Sequence, residues 1–194
     1  MGIRGRRIRT SVNVSKYKEP KLLRNVDDII KVAKEKGFYV DDKLNIESVI
    51  NNISEENKRE NEAGILIVRK DLPPSVSGKL FFQEDRWIME INKIQNPKRQ
   101  RFTLAHELGH FVLHKNKNTE FSDTTFFRKN EDPDSLEYNA NEFAAQILMP
   151  EERVNYYIQQ RDIKSIKLLA DIFDVSSSAM RYRVEGLGYK VKNG

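Results

Sequence analysis

The chain has 194 residues, 34 lysines and arginines against 29 aspartates and glutamates, and no cysteine. That length suits one well-filled domain with a small appendage at either end, and the missing thiols exclude disulfides and thiolate metal ligands. No apolar run approaches the roughly 20 residues a membrane helix needs, no apolar signal segment opens the chain, and Arg6 stands where a myristoylation signal wants Ser or Thr, so a cytoplasmic protein is expected.

Residues 1–24 carry eight cations (Arg4, Arg6, Arg7, Arg9, Lys16, Lys18, Lys21 and Arg24) against Glu19 alone, an excess of seven. With a net charge of +5 over the whole chain, the remainder is slightly acidic, which argues against a basic nucleic-acid stripe on the body and makes 1–24 a flexible basic arm. After it, Val26, Ile29, Ile30 and Ala33 fall on one helical face, with Asp27 and Asp28 at the positive end of the dipole and Gly37 as a stop. Phe38–Val40 is a short apolar run, and a second short helix is expected around Ile46, Val49 and Ile50. The charged segment SEENKREN, residues 54–61, reads as a loop. Residues 63–69, AGILIVR, suit a buried strand that ends before Pro73 and Pro74. Ser77–Gln83 and Arg86–Asn92 form a hairpin around Glu84 and Asp85, with Trp87, Met89 and Ile91 on one face and Ile88 and Glu90 on the other. Asn96 and Pro97 break that pattern.

Next comes RFTLAHELGHFVLH, Arg101–His114, which contains all three histidines of the protein. His106, Glu107 and His110 spell HExxH. On a helix, residues four apart lie about 5.4 Å up the same face, so both imidazoles can close on one ion while Glu107, rotated off that line, points at its open side. A zinc hydrolase needs this arrangement: two neutral imidazoles, and a carboxylate able to deprotonate a water at the vacant coordination place. Leu104, Leu108, Phe111, Val112 and Leu113 bury the helix around the motif. Gly109 costs about 1 kcal/mol relative to alanine, tolerable where another backbone or a ligand comes close. His114 falls too early for an HExxHxxGxxH site and too far up the axis to be a third ligand, so a supporting or packing role is expected for it.

Lys115–Asp134 is polar and long for a loop, with Phe121, Phe126 and Phe127 scattered through it; a flap over the site and an anchored loop are equally good readings. SLEYNANEFAAQILMP, residues 135–150, then reads as a helix whose small Ala140, Ala144 and Ala145 allow close approach to the motif helix. Glu137 and Asn141 are four apart on it. A catalytic zinc with two histidines wants one more protein ligand, and Glu137 is chosen over Asp123, Glu131, Asp132 and Asp134, which fall in the loop. Asn141 then accepts a hydrogen bond from the outer nitrogen of one histidine and fixes its tautomer.

RFTLAHELGHFVLH followed by ExxANxFAAxxLMP resembles the ImmA/IrrE family of zinc metallopeptidases, whose metal helix and glutamate-bearing helix are similar to those of gluzincin proteases. The resemblance covers roughly Val76–Pro150. It implies His106, His110 and Glu137 as ligands of Zn2+, Glu107 as the catalytic carboxylate and Asn141 behind the ligands, where more distant gluzincins often carry aspartate. It also implies a substrate: a helix-turn-helix transcriptional repressor, cleaved at one site in phage, mobile-element or stress regulation. The basic arm departs from the family pattern.

Toward the C-terminus, Leu168, Leu169, Ala170, Phe173, Val175, Ala179, Met180 and Val184 describe two helices joined at DVSS, with Ser176 as N-cap, similar to a helix-turn-helix. Arg181 and Arg183 flank the second helix, which makes DNA contact a reading, though a less favoured one than packing or substrate docking. The expected fold is α+β: a small, mostly antiparallel sheet packed on the HExxH helix and a second ligand-bearing helix. Residues 25–160 form a zincin-like metallopeptidase domain, and 161–194 a C-terminal helical segment packed on it. The expected activity is zinc-dependent hydrolysis of a peptide bond in a protein substrate lying beside an edge strand. The alternatives are a DNA-associated regulator with a structural or degenerate metal site, and a zinc hydrolase of a small molecule. Tyr138, Tyr156, Tyr157 and Arg128 are open candidates for stabilising the oxyanion.

Overall fold

The computed structural model describes residues 25–114, 120–123 and 135–191. The basic arm, Arg128, Glu131, Asp132 and Asp134 lie outside the described residues, as do the side chains of His114 and Asp123. No helix among the described residues is long and apolar enough to cross a membrane.

The fold is α+β. Helix α1, Val26–Glu35, starts at Asn25, whose side chain accepts from the Asp28 amide at 2.9 Å, and buries Ile29 and Ala33. A two-stranded hairpin follows, β1 (Tyr39–Val40) and β2 (Lys43–Leu44), turned by Asp41 and Asp42 at φ 48° and 65°. Two successive left-handed residues suit a two-residue hairpin turn, and aspartate tolerates that conformation better than most side chains. Helix α2 spans Ile46–Arg59, longer than its apolar residues alone announce. SEENKREN is therefore helical up to Arg59, not a loop. Ile53 extends the buried face by a turn, and Ser54 and Asn57 are buried because they bond backbone: Ser54 Oγ to both polar groups of Ile65, Asn57 to the Ala63 carbonyl.

The main sheet has the order β3–β5–β4–β6. Strands β4 (Gly78–Gln83) and β5 (Arg86–Asn92) are antiparallel around Glu84–Asp85, both at positive φ. Trp87, Met89 and Ile91 are buried on one face of β5. Strand β3, Ile65–Lys70, corrects the expectation of a buried strand: it is an edge, parallel to β5, and Leu66 is 43 % exposed. Its β-branched run packs on one side only. The segment expected to be all loop contains a strand, β6 (Glu120–Asp123), antiparallel to β4.

Helix α3, Pro97–His114, begins at proline itself, which suits the first helical position, with Asn96 Oδ1 accepting from the Arg99 amide at 3.0 Å. It packs on the β4–β5 face, where Trp87 meets Phe111 edge-on at 5.7 Å. Helix α4, Ser135–Leu148, packs in turn on α3 and is followed by α5, Glu151–Asn155, and a π-helical turn, Tyr156–Gln160. Helices α6 (Ile166–Ile172) and α7 (Ser177–Gly186) close the chain, with Ser176 Oγ capping α7 at the Ala179 amide. Leu169, Phe173, Val175 and Met180 join the core that reaches back to Ile29, whereas Leu168 is half-exposed.

Two arginines fasten these helices. Arg101 donates to the Leu44, Phe173 and Asp174 carbonyls, tying α3 to the hairpin and to the end of α6. Arg183 is buried and its Nε donates to the Met149 carbonyl at 3.0 Å, which removes it from the set of surface cations that made α7 a DNA-contact candidate.

Candidate metal centre

The middle of α3 is buried on every side: Leu104, Ala105, Leu108 and Phe111, but also Thr103, His106, Glu107 and His110. Three ionisable side chains on two turns of a buried helix are costly to keep there without partners. The His106 and His110 rings stand nearly perpendicular, 82°, with their Nε2 atoms facing each other at 3.0 Å. Glu137 enters from α4, its Oε2 3.3 Å from His106 Nε2 and its Oε1 3.2 Å from His110 Nε2. One ligating atom from each of the three residues lies within 4.8 Å of the others. His106 Nδ1 lies 3.0 Å from Asn141 Oδ1. An amide oxygen can only accept, so Nδ1 carries the proton and Nε2 turns its lone pair into the cluster.

This donor set fits a divalent cation. Two lone pairs and a carboxylate converging on one point repel one another unless a positive charge lies between them, and two imidazoles plus one carboxylate leave a coordination place open. Burial pushes the Glu137 carboxyl up, but with protons on the imidazoles in place of a cation, hydrogen bonds from His106 and His110 and their charge outweigh burial and hold it down at about 2.

Two glycines decide how close the parts come. A Cβ on Gly109 would lie 3.1 Å from Ala140 Cα and 3.2 Å from both the Ala140 carbonyl oxygen and Phe143 Cβ, so the missing side chain is what lets α4 rest against the motif turn. At Gly78, the first residue of β4, a Cβ would fall 2.8 Å from Glu107 Oε1 and 2.5 Å from Thr103 Cγ2. Gly78 therefore gives the Glu107 carboxylate its room. Sequence reasoning passed over it, although a glycine opening an alternating strand is a known mark of close approach. Of the tyrosines considered for the oxyanion, Tyr157 donates its hydroxyl to Asp42 at 2.7 Å, and the Tyr156 ring lies 4.7 Å from the Arg153 guanidinium. Tyr138 follows Glu137 on α4 and is half-exposed.

The comparisons with known proteins converge on the same region. The family model of the IrrE N-terminal-like domain, Peptidase M78, matches residues 60–185. Metallopeptidase ImmA of Bacillus subtilis (strain 168) is 30 % identical over 105 residues, which make up 54 % of this chain and 59 % of that one. Uncharacterized immunity region protein 2 of Bacillus phage phi105 is 28 % identical over 127 residues, 64 % of this chain and 78 % of that one. The match thus spans less than two thirds of the Bacillus subtilis relative. A solved structure, a Mycobacterium tuberculosis transcriptional regulator, shares the fold with a TM-score of 0.54 over 82 % of this chain and 46 % of that one, at 15 % identity. The family match takes in β3 through α7, both helices of the His106–His110–Glu137 cluster included, and the chain belongs to the ImmA/IrrE family, with an IrrE N-terminal-like domain of the Peptidase M78 type.

Proposed function

We propose that the chain is a zinc-dependent endopeptidase in which His106, His110 and Glu137 hold one Zn2+, Glu107 is the general base and Asn141 fixes the tautomer of His106. One observation carries this reading: two ring nitrogens 3.0 Å apart on one helix meet a carboxylate from another helix at 3.2 and 3.3 Å. Three nitrogen and oxygen ligands with a fourth place open is the donor pattern of catalytic zinc, not of closed structural sites. When bound, the ion supplies Lewis acidity toward the scissile carbonyl and lowers the pKa of water.

The chain's own residues do the rest. Asn141 keeps the His106 Nδ1–H engaged, so the ring cannot turn its proton toward the site. Glu107 takes a proton from the attacking water as the carbon–oxygen bond forms, and delivers it to the leaving nitrogen as the carbon–nitrogen bond breaks. The products are a carboxylate and an amine. Gly78 leaves Glu107 the room for both transfers. The packing of α3 and α4 under a small sheet fits a minimal zincin core over 25–160, with 161–194 as a helix-turn-helix-like segment on it.

The substrate in this reading is a cytoplasmic helix-turn-helix repressor, cut at one site while lying extended beside an edge strand of the sheet. Relatives named as a metallopeptidase and as a phage immunity-region protein support that task. The test is co-expression of the wild type and of Glu107→Gln with a candidate helix-turn-helix repressor, followed by mass mapping of fragments. The variant is expected to keep its metal and lose cleavage by a factor on the order of 10²–10⁴. Cleavage at the wild-type rate removes Glu107 as the base.

A further inference from the structure

We propose that Tyr138, Glu142 and Tyr182 form a subsite beside the metal centre for a cationic side chain, lysine or arginine, of the peptide substrate; the inference rests on the endopeptidase reading above. Tyr138 and Glu142 stand four apart on α4, each one residue beyond Glu137 and Asn141, so they form a strip about 100° round the helix from the one that faces the histidines. Helix α7 packs against α4, and the Tyr182 hydroxyl donates to Glu142 Oε1 at 2.5 Å. The Tyr138 side chain lies near enough to Tyr182 to act on its hydroxyl. Tyr138 is 48 % exposed, and Glu142 and Tyr182 are partly buried, so the cluster opens to solvent.

A carboxylate beside two phenol rings is a recognition set for a cation: the rings present negative faces and the carboxylate the opposite charge. Among the described residues no lysine or arginine forms an ion pair with Glu142. Arg183 feels its charge, but that guanidinium is buried and its Nε donates to the Met149 carbonyl. A cluster serving only to dock α7 would need neither the charge nor the exposed ring, since glutamine would accept from Tyr182 equally well. At a rise of 1.5 Å per residue, Glu142 lies about 7.5 Å along α4 from Glu137. That is within reach of a side chain one or two positions from the scissile bond.

The test uses two fluorescein-labelled nonapeptides of mixed Ala, Leu and Ser sequence that differ only in lysine or norleucine at the centre. They are titrated into the full zinc-loaded chain carrying Glu107→Gln and followed by anisotropy, a binding readout that needs no turnover. The lysine peptide should bind about fivefold more tightly or better. Glu142→Gln should erase the preference, and Tyr138→Ala should reduce it. Tyr182→Phe, which removes the bond to Glu142 while leaving ring and carboxylate, should keep it and so separates recognition from a loss of packing. Equal affinities, including no measurable binding of either peptide, or a preference untouched by Glu142→Gln, overturn the subsite. The repressor cleavage test above answers the other question: a repressor left uncut by the wild-type chain contradicts the endopeptidase reading, and a cut repressor with equal affinity for the two peptides contradicts the subsite alone.

Discussion

Two polar junctions hold this molecule, and they are built in opposite ways. At the candidate metal centre, two of the three converging groups sit four residues apart on one helix, and a second helix brings Glu137. At the other, Asp42 in the hairpin turn takes a two-pronged bond from Arg153, at 2.5 and 2.8 Å, and a third from the Tyr157 hydroxyl, with partners 111 and 115 residues away. The second junction is electrically complete, since a guanidinium, a carboxylate and a phenol satisfy one another, and Arg153 stacks near the Tyr156 and Tyr157 rings. The first is not: its acceptors face each other and call for a cation. Closed junctions stabilise, and open ones bind.

That contrast can be broken most forcefully at Gly109. Gly109→Val pushes a branched side chain into α4 backbone already 3.1 Å from the position of a Cβ. It should destabilise the chain by about 1–3 kcal/mol and, by moving Glu137 away from the imidazoles, weaken metal binding at the same time. Calorimetry and metal titration check the two effects together, and intact metal affinity would detach the α3–α4 spacing from the site. A single methyl group, Gly78→Ala, presses on Glu107 and on the neighbouring Thr103. Peptide cleavage should fall roughly 10²-fold, as expected when a reacting group is displaced by about 1 Å, while zinc content stays at the wild-type level. Unchanged turnover would show that the carboxylate has room to spare.

The closed junction should respond in stability only. The bond from Arg153, working against burial and helped by Tyr157, holds the Asp42 carboxyl below its ordinary value. A depressed folded-state pKa means that the stabilisation is fully present above the unfolded value, near 3.9, and is lost as pH falls through the folded value. Asp42→Asn should therefore lower the urea midpoint at pH 7, by an amount equivalent to about 1 kcal/mol given the partly exposed arginine, and the gap to the wild type should close below about pH 4. Metal content should not change. A gap undiminished at pH 3 would mean that the pair stabilises by packing and not by charge.

The same contrast explains what could be read from the sequence. HExxH is legible because helical geometry alone brings residues four apart together, and Ser176 and the Glu84–Asp85 turn are legible because each acts on neighbours within three residues. The far end of α2 is not: Ser54 and Asn57 look like loop residues until Ile65 and Ala63 arrive to bond them. β3 reads as buried because a β-branched run gives no hint of which sheet position it takes. Asp42–Arg153 and the carbonyls gathered by Arg101 depend on partners that only the completed chain supplies. Gly78 left a trace, a glycine at the head of a strand, whose meaning came only from the Glu107 oxygen beside it.

The most direct test is zinc content, measured by mass spectrometry of the metal in gel-filtered protein supplied with one equivalent of zinc. The wild type should retain about one ion per chain, His110→Ala and Glu137→Ala should retain almost none, and Asp42→Asn should match the wild type. Retention of zinc by both ligand variants at the wild-type level, or by none of the proteins, would contradict a site built from these two helices.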